Sequence, residues 1–383
     1  MAHNDTVFSQ ILKLVPRHEF ETLAKQHHHG QKLRKMNRWS QFISLSLAQL
    51  AGRISLRDVV ANLKAQGRKL YHLGCCQVNR SSLARVNEQQ PYELYEVLFH
   101  KLLARCQALT PKHRFRFKNK LYSLDASTID LCLSVFPWAK FRTTKGAIKL
   151  HVGLDHDGYL PAFMQITDGK VHEVNMARTL SLPKNSIVVF DRGYTDYAWY
   201  NQLNLNDVYF VTRQKKNACY SVIERKDVSD MANITSDQII SLTGTKALEC
   251  PSQLRRVGYR DPQTGKHYVF LTNAFHLSAK TIAAIYKERW QIELFFKWIK
   301  QNLKIKSFLG TSRNAVLTQI WVAICMYLIL AYIKLISQLG LSMQQVLRLL
   351  QLNIFERRDL MALLRGDPPE PIISPLQTQL CFA

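Results

Sequence analysis

Acidic residues are scarce in this chain. Its 383 residues carry 28 Asp and Glu against 52 Lys and Arg, a formal charge of +24 at pH 7. A surplus of that size points to a polyanionic partner, nucleic acid ahead of an anionic membrane surface. Paired cysteines are missing too. Cys75, Cys76, Cys106, Cys132, Cys219, Cys250, Cys325 and Cys381 form no CxxC and no zinc-like spacing, so they read as small core residues rather than a metal or disulfide framework. The first twenty residues mix Asp5, Lys13, Arg17, His18 and Glu19 into the apolar positions, unlike a secretory leader, and a cytoplasmic protein is expected. The most apolar stretch, IWVAICMYLILAYIKLI at 320–336, has fourteen residues between Ile320 and Lys334. That is below the roughly twenty that span a bilayer, which predicts a buried core helix and no membrane. His27, His28 and His29 are consecutive, so their side chains diverge and a basic loop is favoured over a metal site. No internal repeat or low-complexity tract is visible.

A hydrophobic content of 47% with 10% aromatics indicates a folded chain, and its length exceeds one comfortable core. Residues 1–120 hold 21 Lys and Arg against 7 Asp and Glu, so the positive footprint is concentrated at the N-terminus. Helical periodicity dominates there, and residues 1–115 are expected to form an all-helical DNA-binding region. Helices over 55–66, with Ser55 as N-cap, and 81–88 suggest either a helix-turn-helix or a plain bundle. From Lys120 the pattern turns to strands: KLYSLDAST, two strands joined at 155–158, SIVVFDRGY and VYFVTRQ, with helices near 172–180 and 196–204. This order predicts an α/β sheet with an antiparallel opening followed by βαβ crossovers. Residues 116–213 read as its first part, 214–275 as a β-rich insertion, 276–345 as its second part and 346–383 as a Pro-broken tail.

Asp125 in LDAST and Asp191 in FDRGY each end a hydrophobic strand, where an α/β sheet gathers its site. Two such acids approach closely when a divalent metal offsets their repulsion. Either alone is ordinary turn chemistry. The segment YKERWQIELFFKWIK at 286–300 supplies more. Read as one helix at about 100° per residue, it puts Arg289, Glu293, Lys297 and Lys300 within about 60° of Tyr286, and Ile292, Leu294, Phe295, Phe296, Trp298 and Ile299 elsewhere as core. Glu288 falls opposite, in a first turn where it would serve the helix dipole. The strip is narrower than a solvated face requires, and it predicts a carboxylate and cations turned into a cleft.

The spacing Tyr286-x2-Arg289-x3-Glu293-x6-Lys300, with SLDAST and VVFDRGYTD, resembles the signature and the two aspartate motifs of the DDE transposases of bacterial insertion sequences, in the group called IS four. The similarity runs from about residue 5 to 340 and includes the helical N-terminus and the strand-rich insertion. It implies an RNase H-like catalytic core interrupted by a β-rich insertion. It further implies Asp125, Asp191 and Glu293 as catalytic and metal-binding residues, and two Mg²⁺ ions, replaceable by Mn²⁺, clamping an in-line phosphoryl displacement at a separation of about 3.5–4 Å. Asp125 would bridge both ions. Tyr286, Arg289, Lys297, Lys300 and Arg192 would meet DNA near the scissile bond, and Lys32, Arg34, Lys35, Arg80 and Arg85 would meet it from the helical region. The implied partners are terminal inverted repeats and target DNA, bound by a homodimer at the bacterial nucleoid. A structure-selective nuclease without joining activity and a DNA-binding repressor remain the rival readings.

Overall fold

Most helices start where a short polar side chain can take the first free backbone N–H groups. Thr6, Asn37, Ser55, Asp196, Ser278, Ser312 and Asp359 each accept a hydrogen bond from the residue three positions on, and Ser342 closes a reciprocal box with Gln345. The computed structural model describes residues 5–34, 36–70, 73–143 and 145–369. The chain begins with helices α1 (Val7–Lys13), α2 (Arg17–Gln26), α3 (Arg38–Leu50), α4 (Leu56–Ala65), α5 (Gly67–Leu70), α6 (Arg80–Gln89) and α7 (Glu93–Gln107). Strands β1 (Leu121–Leu131), β2 (Gly146–Asp155) and β3 (Leu160–Asp168) come next, then α8 (Glu173–Ala177), β4 (Ile187–Phe190), α9 (Tyr197–Leu205) and β5 (Tyr209–Arg213). They are succeeded by β6 (Tyr220–Lys226), β7 (Ile234–Leu242), β8 (Leu254–Arg260) and β9 (His267–Thr272). The last helices are α10 (Ala279–Glu288), α11 (Trp290–Asn302), α12 (Arg313–Ser337), α13 (Met343–Asn353) and α14 (Leu360–Arg365).

The chain divides into two compact units, Met1–Leu109 with Ile299–Ala383, and Thr110–Trp298. The second holds one nine-stranded sheet in the order β3-β2-β1-β4-β5-β9-β8-β7-β6. β1, β2 and β3 pair antiparallel, whereas β1, β4 and β5 run parallel through crossovers that carry α8 and α9. One face packs Tyr122, Leu124, Val188, Phe190 and Phe210 against Trp199 and Tyr200 of α9. The other packs Leu121, Ile187, Val189 and Val211 against Ile282 and Ile285 of α10. This is the mixed α/β sheet that the strand order predicts, and the RNase H-like core with a helical N-terminal region that the resemblance implies. The 214–275 stretch is strand-rich, but it extends the core sheet instead of standing apart, because β9 pairs antiparallel with β5.

The first unit is helical. Among its members α12 is apolar on every side, and it is buried from Ala315 to Ala331. It packs on α3, α6, α7 and α13. Two expectations change here. The span argument from length fails, since α12 has 25 residues and is long and apolar enough to cross a membrane by composition. Burial decides instead, because 94% of its apolar window lies inside the protein, as in a core helix. Residues 299–345 were expected to complete the α/β core, yet they belong to the helical unit, as the all-round apolar surface of α12 demands. Residues 370–383 of the expected tail lie outside the described residues.

Candidate active site

Parallel pairing of β1 with β4 sets Leu124 opposite Phe190, so the next residues, Asp125 and Asp191, lie side by side. Asp191 leaves the sheet at the end of β4, but Asp125, expected to end its strand, sits inside β1 opposite Val152 of β2, because β1 runs on to Leu131. Each carboxylate is fixed by a backbone N–H. The Asp125 Oδ1 accepts from Ala126 at 2.8 Å, and the Asp191 Oδ1 accepts from Gly193 at 2.6 Å. Asp191 thereby caps the short 3₁₀ turn Arg192–Tyr194. Thr212 on β5 donates to the Asp191 carbonyl. Tyr194 is buried, with its ring among the aromatics of the α9 face. Its phenol is driven far up by burial and by the charges of Asp125, Glu173 and Asp191.

The third acid comes from the helix pair that follows β9. The 286–300 segment is two helices, α10 and α11, meeting at Arg289, so the single continuous strip expected from the sequence is interrupted. Arg289 keeps right-handed backbone angles, φ −53° and ψ −28°, and no Pro or Gly announces the break. Its guanidinium faces the acids. Nη2 donates to the Glu293 Oε1 at 2.6 Å and Nη1 lies 3.7 Å from the Asp125 Oδ2. Arg289 Nε is buried and has no hydrogen-bond partner. The same guanidinium lies 5.7 Å from the Tyr286 ring centroid, and that ring packs on Phe270 at 4.9 Å. A pocket of about 270 Å³ opens beside them, lined by Arg213, Tyr268, Tyr286, Arg289 and Trp290.

Other assignments on this segment shift. Leu294 was expected in the core but is 41% exposed, as is Trp290 at 57%. Glu288 ends α10 rather than opening a helix, and its carboxylate accepts from the Tyr159 hydroxyl at 3.3 Å, so it serves a tertiary contact and not the dipole. Lys297 is exposed and Lys300 half-buried further along α11, and Arg192 is exposed next to Asp191. In the helical unit Lys32, Arg34, Arg80 and Arg85 are exposed, while Lys35 lies outside the described residues. Lys32, Arg34 and Arg85 line a groove of about 1040 Å³ with Asn79, Ser81 and Ser82. α5 intervenes between α4 and α6, so these helices lack the tight connection of a helix-turn-helix.

Sequence reasoning passed over Glu173. It opens α8, and one carboxylate oxygen pairs with Lys149 at 3.5 Å. Nothing in VHEVNMA marks it, because an acid in a first helical turn is commonplace. Together the acids are under-neutralised. Burial first, then the neighbouring Asp191 and Glu173 charges, lift Asp125 to about 6 against the pull of Ala126 N–H and Arg289.

The residues suit a divalent cation on three counts. The donors are hard carboxylate oxygens, Gly193 leaves a space that a Cβ would fill 2.8 Å from the Asp191 Oδ1, and a guanidinium joining Asp125 to Glu293 supplies charge of the sign a metal would bring. Among the described residues no three His, Cys, Asp or Glu side chains converge closely enough to hold a metal. The donor set fits in type and in room, with Glu293 engaged by Arg289.

Comparison with known proteins gives this geometry a family. Residues 116–329 match the family described as a transposase DDE domain, and residues 3–76 match one described as a domain of unknown function, DUF4372. The chain is 32% identical over 296 residues to the transposase y4zB of Sinorhizobium fredii, covering 76% of this chain and 81% of that protein. It is 28% identical over 263 residues to the transposase described for insertion sequence element IS5377 of Geobacillus stearothermophilus, covering 68% of each. A solved piggyBac transposase synaptic complex with hairpin DNA aligns over 98% of this chain and 83% of its own at 10% identity, with a TM-score of 0.44. The matched region covers more than half of the sequence and the relatives span most of it: the chain belongs to the transposase DDE domain family and is an insertion-sequence transposase, a polynucleotidyl transferase of the divalent-metal-dependent kind.

Proposed function

We propose that this transposase binds the terminal inverted repeats of its own element, cuts the DNA there and joins the freed 3′ ends to target DNA. Asp125, Asp191 and Glu293 are its catalytic carboxylates, and they hold two Mg²⁺ ions for which Mn²⁺ substitutes. The observation that carries this reading is the adjacency of Asp125 and Asp191 on paired parallel strands, with Arg289 linking Asp125 to Glu293. Bound divalent ions supply Lewis-acid charge to the attacking and leaving oxygens of an in-line displacement.

The protein's own side chains do the positioning. Backbone N–H groups of Ala126 and Gly193 restrain the rotamers of the two aspartates. Arg289 Nε, buried and without a protein partner, is a donor set aside for a phosphate oxygen, and the guanidinium fork binds such an oxygen more firmly than a point charge does. Tyr286 fixes the plane of that guanidinium from below. Lys297, Lys300 and Arg192 add phosphate contacts along the same DNA. Water attacks first and frees a 3′-OH, which then attacks the target phosphodiester in the same site, each step exchanging one P–O bond for another. Residues 1–115 recognise the repeats through Lys32, Arg34, Lys35, Arg80 and Arg85, with the Lys32–Arg85 groove as the seat of the backbone. The catalytic core is the sheet unit Thr110–Trp298, which the 214–275 strands extend. Pairing two ends implies a DNA-bound homodimer, working in the cytoplasm on the bacterial nucleoid.

The test is to incubate the protein with Mg²⁺ and DNA that flanks its own gene, map the cut and look for joined products. Cleavage at the element ends with joining is expected, and Glu293→Gln should bind that DNA yet leave it whole. Cleavage by Glu293→Gln at the normal rate would overturn the catalytic assignment, and cutting without joining would reduce the activity to that of a nuclease.

A further inference from the structure

Glu173 stands outside the three acids of the proposed site, yet its carboxylate borders the same space. It is the first residue of α8, the five-residue helix after β3. Its Oε1 lies 3.5 Å from Lys149 Nζ on β2, and that ammonium donates to the Val171 carbonyl at 2.9 Å. The opposite oxygen, Oε2, is 3.6 Å from the point where a Cβ on Gly193 would sit, and the Asp191 Oδ1 is 2.8 Å from that same point. Two carboxylates from separate elements thus flank one gap, and a side chain at 193 would close it.

The ordinary explanation is an acid serving the N-terminus of its helix. A helix this short offers little dipole to serve, and Glu173 is turned toward Asp191 across the Gly193 gap. Among the described residues its one ion pair is a long one, to a lysine that also donates to the Val171 carbonyl. An acid kept beside like charges, at a gap left by a glycine, is placed to meet a cation.

We infer that Glu173 is a fourth metal-facing carboxylate of the catalytic centre, acting on the Asp191 side, with Lys149 as the positioning residue that aims it. The inference rests on the reading of Asp125, Asp191 and Glu293 as divalent-metal ligands. It adds an acid that the triad does not contain, reaching the ion directly or through one of its waters.

The experiment measures Mn²⁺ binding to the full-length, DNA-free protein by electron paramagnetic resonance, alongside the Mg²⁺ concentration that gives half-maximal DNA cleavage. Wild type, Glu173→Gln, Glu173→Asp, Lys149→Met and Asp191→Asn are compared. Glu173→Gln should weaken Mn²⁺ binding by about ten-fold and raise the Mg²⁺ requirement by a similar factor, with a smaller loss in the rate at saturating Mg²⁺. Glu173→Asp should recover part of the affinity, and Lys149→Met should show a lesser shift in the same direction. If Glu173→Gln does not fold, judged by circular dichroism, Glu173→Asp and Lys149→Met carry the same expectation of weakened Mn²⁺ binding. Wild-type Mn²⁺ affinity in the folded Glu173 and Lys149 variants, with affinity lost in Asp191→Asn, overturns this inference alone. Undiminished binding in Asp191→Asn overturns the metal-ligand reading beneath it.

Discussion

β1 carries one knot of acids at its start and another near its middle, and the two differ in the counter-charge they are given. At the start of the strand, Lys120 Nζ sits between the Asp155 Oδ2 at 2.9 Å and the Asp157 Oδ2 at 2.6 Å. Asp157 also accepts from His113 N–H at 2.8 Å, Asp155 accepts from Asp157 N–H at 2.9 Å, and Ser123 and His156 share a hydrogen bond of 2.6 Å. Burial still raises Asp155 in spite of Lys120, whereas at Asp157 Lys120 and the His113 N–H outweigh burial and hold the carboxyl below its ordinary range. Near the middle of the strand, burial and two neighbouring acids lift Asp125 to about 6, with Arg289 too distant from it to compensate. The first knot has a cation and N–H donors placed for its acids and serves the fold. The second has more acids than cations, held in place by strand register and a glycine, and that shortage marks chemistry.

The sharpest way to separate the two knots is to remove one acid from the second. Asp191→Asn should cut the DNA-cleavage rate by roughly 10³-fold or more, with an unfolding midpoint at least as high as wild type, measured by single-turnover cleavage and thermal melting. At the first knot the effects reverse. Lys120→Met leaves Asp155 and Asp157 without their shared cation and should cost about 2 kcal/mol of stability, below the usual value for a buried pair because Lys120 is partly exposed. Urea unfolding measures this, and cleavage per folded molecule should stay within about two-fold of wild type. The smallest effect probes Asp125 itself. A carboxylate raised in the folded state binds its proton more tightly there than when unfolded. Its favourable contribution is therefore complete below about pH 4 and lost as pH rises through about 6. In chelator, Asp125→Asn should consequently be more stable than wild type by about 1–2 kcal/mol at pH 7.5, with the difference closing toward pH 4. A gap independent of pH would contradict the raised Asp125.

The sequence made some of this legible and hid the rest for physical reasons. Caps at Ser55, Ser278 and Ser312, and the alternation around β1 to β5, are local signals, so the helices and strands could be located before any contact was known. The pairing of β9 with β5 is long-range, and the insertion therefore looked separate when it continues the sheet. The 286–300 segment contains only helix-tolerant residues, so nothing local betrayed the break at Arg289, and Leu294 was assigned to a core that it does not enter. Asp125 and Asp191 stood out because each follows a hydrophobic run, although β1 continues past Asp125 to Leu131. Glu173 did not, since its partners Lys149 and Gly193 come from a different strand and a different turn. The apolar helix α12 was recognised as core, though on a length that proved too short; its burial is a property of the helices around it.

The central claim is that the acids where the middle of β1 meets the end of β4 await a divalent cation while those at the start of β1 already have their counter-charge. It is tested most directly by the Mn²⁺-dependent shift in melting temperature of wild type, Lys120→Met and Asp191→Asn. The account predicts that Mn²⁺ stabilises wild type and Lys120→Met by equal increments, from different starting points, and leaves Asp191→Asn unmoved. An equal Mn²⁺ shift in Asp191→Asn, or its loss in Lys120→Met alone, would contradict it.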